Sequence, residues 1–105
     1  MTLLFRKRYV EQILSGEKTA TRRASRPMVK VGGTYRIRLN FFEYIEDLIL
    51  VERLYEQRLG DMTESDAARE GASSLDEFRE QWTELYGPWD GDREVWVVEF
   101  RHLPP

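Results

Sequence analysis

Val95-Trp96-Val97-Val98 carries apolar side chains on both faces of one extended segment, and Phe100 continues it. Successive side chains in a strand point to opposite faces. A segment apolar on both must be covered on both, which predicts the central strand of a sheet. Tyr35, Ile37 and Leu39 behave differently, alternating with Arg36, Arg38 and Asn40. That is the period of a strand buried on one face only. Leu48 to Val51, running on into Leu54, reads as a further strand, and Leu3-Leu4-Phe5 as a short first one.

Helical signals fall between these segments. Tyr9, Val10, Ile13 and Leu14 lie at helical spacing, and Gly16 stands where a left-handed residue would end the helix. Thr63 with Asp66 resembles a capping box closed by Gly71, and Ser74 with Glu77 is a second box. Leu75, Phe78, Trp82 and Leu85 then form the buried stripe of a longer helix. The order predicts one α+β domain over residues 1–105, its small sheet curled toward a barrel. A chain this short is expected to build one core and a cleft rather than two cores.

Having no cysteine excludes thiolate sites, and a single histidine, His102 near the C-terminus, argues against a histidine-centred triad or a multi-histidine metal centre. No apolar run approaches the ~20 residues that span a bilayer, and Met1 to Arg6 lacks a secretory leader's apolar stretch. A cytoplasmic protein with no membrane partner is expected. The net charge of −3 conceals a division. Residues 1–40 hold ten Lys/Arg against two acids, a balance of +8; residues 41–105 hold six against seventeen, a balance of −11. Such asymmetry suggests a basic surface for an anionic partner, although interleaved surface pairs would give the same count.

Gly16-Glu17-Lys18-Thr19-Ala20-Thr21-Arg22-Arg23 concentrates a lysine, two hydroxyls and two guanidinium groups between a helix end and a strand. Burial and neighbouring cations can lower a lysine's pKa enough to make it a base. A threonine hydroxyl needs such a base to act as a nucleophile. A charged turn after a helix cap would look the same, and Glu70 fits either a site or a solvated helix end. Tyr86, Trp89 and Trp96 suit base stacking or core packing equally, and Arg36 and Arg38 suit phosphate or solvent.

These pieces resemble the ASCH family, small domains of the PUA-like superfold. The resemblance rests on a G-x-K-x-x-x-x-R signature, Gly16, Lys18 and Arg23, preceded by the helix Arg8 to Ser15. It continues through Val29-Lys30-Val31-Gly32, the short helix in Met62 to Gly71, the longer one from Ser74 to Gly87, and the closing strand Val95 to Phe100. Two features depart from it: Gly33 stands where aspartate is frequent, and Asn40 to Asp47, with Phe41, Phe42 and Tyr44, is long and aromatic.

The resemblance implies a PUA-like small β-barrel with about three helices at its mouth and a cleft for RNA or a modified nucleobase. One branch of the family consists of amidohydrolases acting on N4-acetylcytidine with a Lys-Thr-Glu triad. By position the triad here is Lys18, Thr21 and Glu70, with Gly16, Arg22, Arg23, Arg26 and Lys30 binding the nucleobase or nucleic acid. No metal or organic cofactor is expected, and the chain would be a monomer or weak dimer. Lys18→Ala, Thr21→Ala and Glu70→Gln would each remove most of the hydrolysis and leave the thermal midpoint nearly unchanged. The alternative is a non-catalytic RNA-binding module, or a ribonuclease using the same cleft.

Overall fold

The computed structural model describes residues 3–40 and 42–105; Met1, Thr2 and Phe41, the last named above among the aromatic hairpin residues, lie outside them. The elements run α1 (Lys7–Ser15), β1 (Ala20–Arg23), β2 (Thr34–Arg38), β3 (Tyr44–Arg58), a 3₁₀ turn (Leu59–Asp61), α2 (Glu64–Arg69), α3 (Leu75–Tyr86) and β4 (Glu94–Leu103). The strands form one antiparallel sheet in the order β1-β4-β3-β2. The doubly apolar segment is interior, as its side chains require, with Val95, Val97, Val98 and Phe100 all buried.

The architecture is α+β with three helices, but the sheet is not closed into a barrel. β1 and β2 remain its two edges. The gap between them is spanned by Leu3 to Phe5, which forms no strand ladder: Leu4 makes one parallel bridge to Arg38, and the Phe5 N–H donates to the Arg38 carbonyl at 2.9 Å. On the other side Arg23 Nη2 donates to the Leu4 carbonyl at 2.8 Å. With α1 beginning at Lys7, this segment is too short to ladder with both edges.

The core is divided, against the expectation of one. Leu3, Phe5, α1 residues Val10 and Ile13, and the strand residues Ile37, Ile49, Val51, Val98 and Phe100 pack together with Val29. Val95 belongs instead to a second cluster with Leu59, Met62, Ala67, Ala72, Phe78 and Trp82. Val95 and Val98 alternate in parity, so β4 feeds one cluster from each face. α1 therefore covers one face of the sheet and α2 and α3 the other, and the short edge strand β1 lies where the two coverings meet.

Capping explains the helix boundaries. Gly16 adopts φ 85° after α1. Thr63 Oγ1 accepts from the Asp66 N–H at 3.1 Å while Asp66 accepts from the Thr63 N–H at 3.0 Å, so aspartate completes the box. At α3, Ser74 accepts from the Glu77 N–H, but the Glu77 carboxylate reaches Ser73 rather than Ser74. Leu85 is 42% exposed and stands at a pocket rim rather than in the stripe.

Gly71 ties α2 to α1. Its carbonyl accepts from Gln12 Nε2 at 2.8 Å, its φ is +88°, and an added Cβ would meet Gln12 Oε1 at 2.5 Å. Gly71→Ala should lower stability by about 1–2 kcal/mol, the penalty for a side chain in the left-handed region, read from the urea midpoint. An unchanged midpoint would mean that this junction is not held rigidly.

Candidate functional site

The turn from α1 into β1 is pinned to the end of α2. The Lys18 N–H donates to the Gln12 carbonyl at 3.1 Å and the Thr19 N–H to the Arg69 carbonyl at 2.7 Å. These bonds place Lys18 beside Glu70, although 52 residues separate them. Lys18 Nζ donates to both the Glu70 carbonyl and Glu70 Oε1, each at 3.0 Å, and both side chains are 5% exposed.

The other carboxylate oxygen, Glu70 Oε2, accepts from Arg22 Nη1 at 2.8 Å. Arg22 Nε and Nη2 both donate to Gln57 Oε1, at 3.0 and 2.8 Å, and Asp66 Oδ1 lies 3.7 Å from Nη2. Gln57 carries no sequence signal, and Asp66 is legible only as a cap. Thr21 and Arg23 alternate with Arg22 along β1 and so share its other face. Arg23 Nε donates to Thr21 Oγ1 at 3.2 Å, and its guanidinium lies 5.0 Å from the Phe5 ring.

Lys18, Thr21, Arg22, Arg23 and Glu70 line one pocket of about 190 Å³. Tyr9, from α1, forms one wall, its ring 5.1 Å from Lys18 Nζ. Gln81, Trp82 and Tyr86, from α3, also line it, with the Trp82 and Tyr86 ring centroids 4.2 Å apart. Of the remaining expected residues, Gly16 caps α1, Arg26 is exposed over the Trp96 ring at 4.9 Å, and Lys30 is exposed; none of the three lines the pocket. Trp89 packs edge-on against Phe78 in the second core cluster.

Burial pushes the Lys18 pKa below its ordinary value of 10.5; Glu70 pulls it back up, while Arg23 and Arg22 push it further down. The result is a lysine that sheds its proton more readily than one in water. Burial would raise the Asp66 carboxyl, but bonds from Thr63 and the Arg22 charge hold it below the usual range. Among the described residues no group of three His, Asp or Glu side chains is placed to hold a metal. No helix among them is long and apolar enough to cross a membrane.

A family model described as the ASCH domain matches residues 2–103, and the chain belongs to that family. The fold is shared with solved structures at low identity. An ASCH domain from Lactobacillus crispatus is 19% identical, with a TM-score of 0.67 over 97% of this chain and 77% of that one. A protein from Enterococcus faecalis V583 is 20% identical, with a TM-score of 0.65 over 91% of this chain and 67% of that one. An ASCH protein from Zymomonas mobilis is 16% identical, with a TM-score of 0.68 over 94% of this chain and 64% of that one. No curated protein matches the chain.

Proposed function

We propose that this ASCH domain takes the base of an N4-acylated cytosine nucleoside into the pocket and hydrolyses its exocyclic amide. The observation that carries this reading is the hold of Glu70 on Lys18. A lysine ammonium has three N–H donors, and two of them go to Glu70, one to its carbonyl and one to Oε1. When Lys18 loses a proton, the two N–H bonds that remain suffice for both acceptors. The lone pair then takes the third position, away from Glu70, and is free to accept a proton.

Thr21 Oγ1 attacks the acyl carbon and its proton passes to Lys18 Nζ. Arg23 Nε, 3.2 Å from that oxygen, stabilises charge developing on it. Lys18 returns the proton to N4 as the C–N4 bond breaks, releasing cytidine and leaving the acyl group on Thr21. Water then attacks this ester with Lys18 again relaying the proton, so that carboxylic acid leaves and the hydroxyl is restored. The net reaction consumes one amide and one water.

The pocket's size supports a single base, being below the roughly 300–1,000 Å³ typical of drug-sized ligands. A long RNA track is less well supported. Arg36 and Arg38 lie 4.6 and 5.4 Å from the Tyr44 ring and do not line the pocket. Incubation with N4-acetylcytidine should release cytidine and acetate in equal amounts, read by chromatography; a folded protein that releases neither refutes the reading. The rate should rise with pH as Lys18 becomes neutral, along a limb centred below 10.5. A limb at or above that value would exclude the buried lysine as the base.

A further inference from the structure

A second groove, of about 380 Å³, opens beside the pocket and shares Arg23 and Tyr86 with it. The loop 24–28 and Leu3 complete its lining, which contains two arginines and no carboxylate. This is unusual for a chain with nineteen acids. Another open groove, by contrast, mixes Glu52 and Glu99 with its cations.

Arg26 stacks on an aromatic ring. Its guanidinium lies 4.9 Å from the Trp96 ring centroid, an arrangement that leaves the donor edge of the fork clear. Arg23 has five donors. One goes to Thr21 and one to Leu4, and Nη1 has no partner among the described residues. Two guanidinium groups lining one acid-free groove offer the charge and the N–H donors that a phosphate's oxygens accept.

We infer that the groove is a phosphate subsite, so that the substrate is a phosphorylated N4-acylcytidine rather than the free nucleoside. The inference rests on the reading that the pocket takes the acylated base. The phosphate is either the monoester of a nucleotide or the diester that continues an RNA strand, and both present the same anionic oxygens.

The test is calorimetric titration of the protein with N4-acetylcytidine, its 5′- and 3′-monophosphates and a trinucleotide with the acetylated base at its centre. The Thr21→Ala variant serves as the non-hydrolysing form. At least one phosphorylated ligand should bind about 10-fold more tightly than the nucleoside, as one charge-assisted contact permits, and the gain should shrink with added salt. Gain with a monophosphate identifies a nucleotide; gain only with the trinucleotide identifies a strand. Arg26→Gln, at an exposed position, should bring the affinity ratio to about one, and Arg26→Lys should restore part of it.

Equal affinity for all four ligands overturns the subsite, as does a phosphate gain that survives Arg26→Gln. Binding of the nucleoside without the phosphate gain leaves the amidohydrolase reading intact. Phosphorylated ligands that bind through Arg26, while wild type neither binds nor turns over the acetylated nucleoside, keep the phosphate site but overturn the amidohydrolase reading and, with it, an acylcytidine as the substrate.

Discussion

Glu70→Ala is expected to lower the stability of the fold by about 3–5 kcal/mol, the usual cost of removing one partner from a buried ion pair. The loss falls mainly on Arg22. Lys18 can shed its charge when its counter-ion goes, since burial already favours the neutral amine. Arginine cannot, and the Arg22 side chain is 1% exposed. Without Glu70 it keeps the Gln57 amide oxygen and an Asp66 carboxylate at 3.7 Å, too little for a buried cation.

Domains of this kind are stable by only ~5–15 kcal/mol, so the change should lower the thermal midpoint by roughly 10 °C or more. The same burial argues against the nearly unchanged midpoint expected from the sequence for Glu70→Gln, since a neutral amide cannot balance the buried Arg22 charge. Urea unfolding of Glu70→Ala, Arg22→Met and the double variant measures the coupling directly. The double variant should be less destabilised than the sum of the two single ones. A Glu70→Ala midpoint equal to wild type would mean that the cluster is hydrated and the ion pairs are loose.

Thr21→Ala is expected to reduce hydrolysis of N4-acetylcytidine by about 10³-fold or more, because the attacking oxygen is gone. Its cost in stability should be small, about 1 kcal/mol for the one hydrogen bond from Arg23. Thr21→Ser keeps both the nucleophile and that bond, so it should retain turnover within about tenfold of wild type, an allowance near the 1.4 kcal/mol that separates such rates. Steady-state rates for the three proteins separate a chemical role from a packing role. Equal rates for the Ala and Ser variants would remove Thr21 from the chemistry.

Local rules made much of this molecule legible. Gly16 and the Thr63–Asp66 box mark helix ends because caps are set by residues three or four apart. The central position of β4 follows from one segment's apolar faces. What escaped depends on distant partners. β3 runs over fifteen residues, through an irregularity in its pairing between Val51 and Arg53, and the charged Glu52 and Arg53 hide that continuity. Closure of the barrel is a property of two edges and a short bridging segment, not of any one strand.

The site divides in the same way. The cluster Lys18, Thr21, Arg22 and Arg23 is visible as a concentration of chemistry within six residues. Its internal roles are not. Alternation in β1 puts adjacent arginines on opposite faces, but which one meets a carboxylate depends on where α2 lies, some 48 residues later. Arg22 therefore reads as a phosphate contact in the sequence and is a buried brace in the fold. Gln57, which fixes that brace, has no local pattern to give it away.

Whether Lys18 is the base of the proposed amide hydrolysis can be read from one chromatogram. N4-acetylcytidine is incubated with wild type and with Lys18→Met at equal concentrations of folded protein, and released cytidine is measured over time. Wild type should convert the substrate steadily, and Lys18→Met should fall by about 10²–10⁴-fold, the range for loss of a general base. Undiminished release by folded Lys18→Met would mean that Lys18 is not the base.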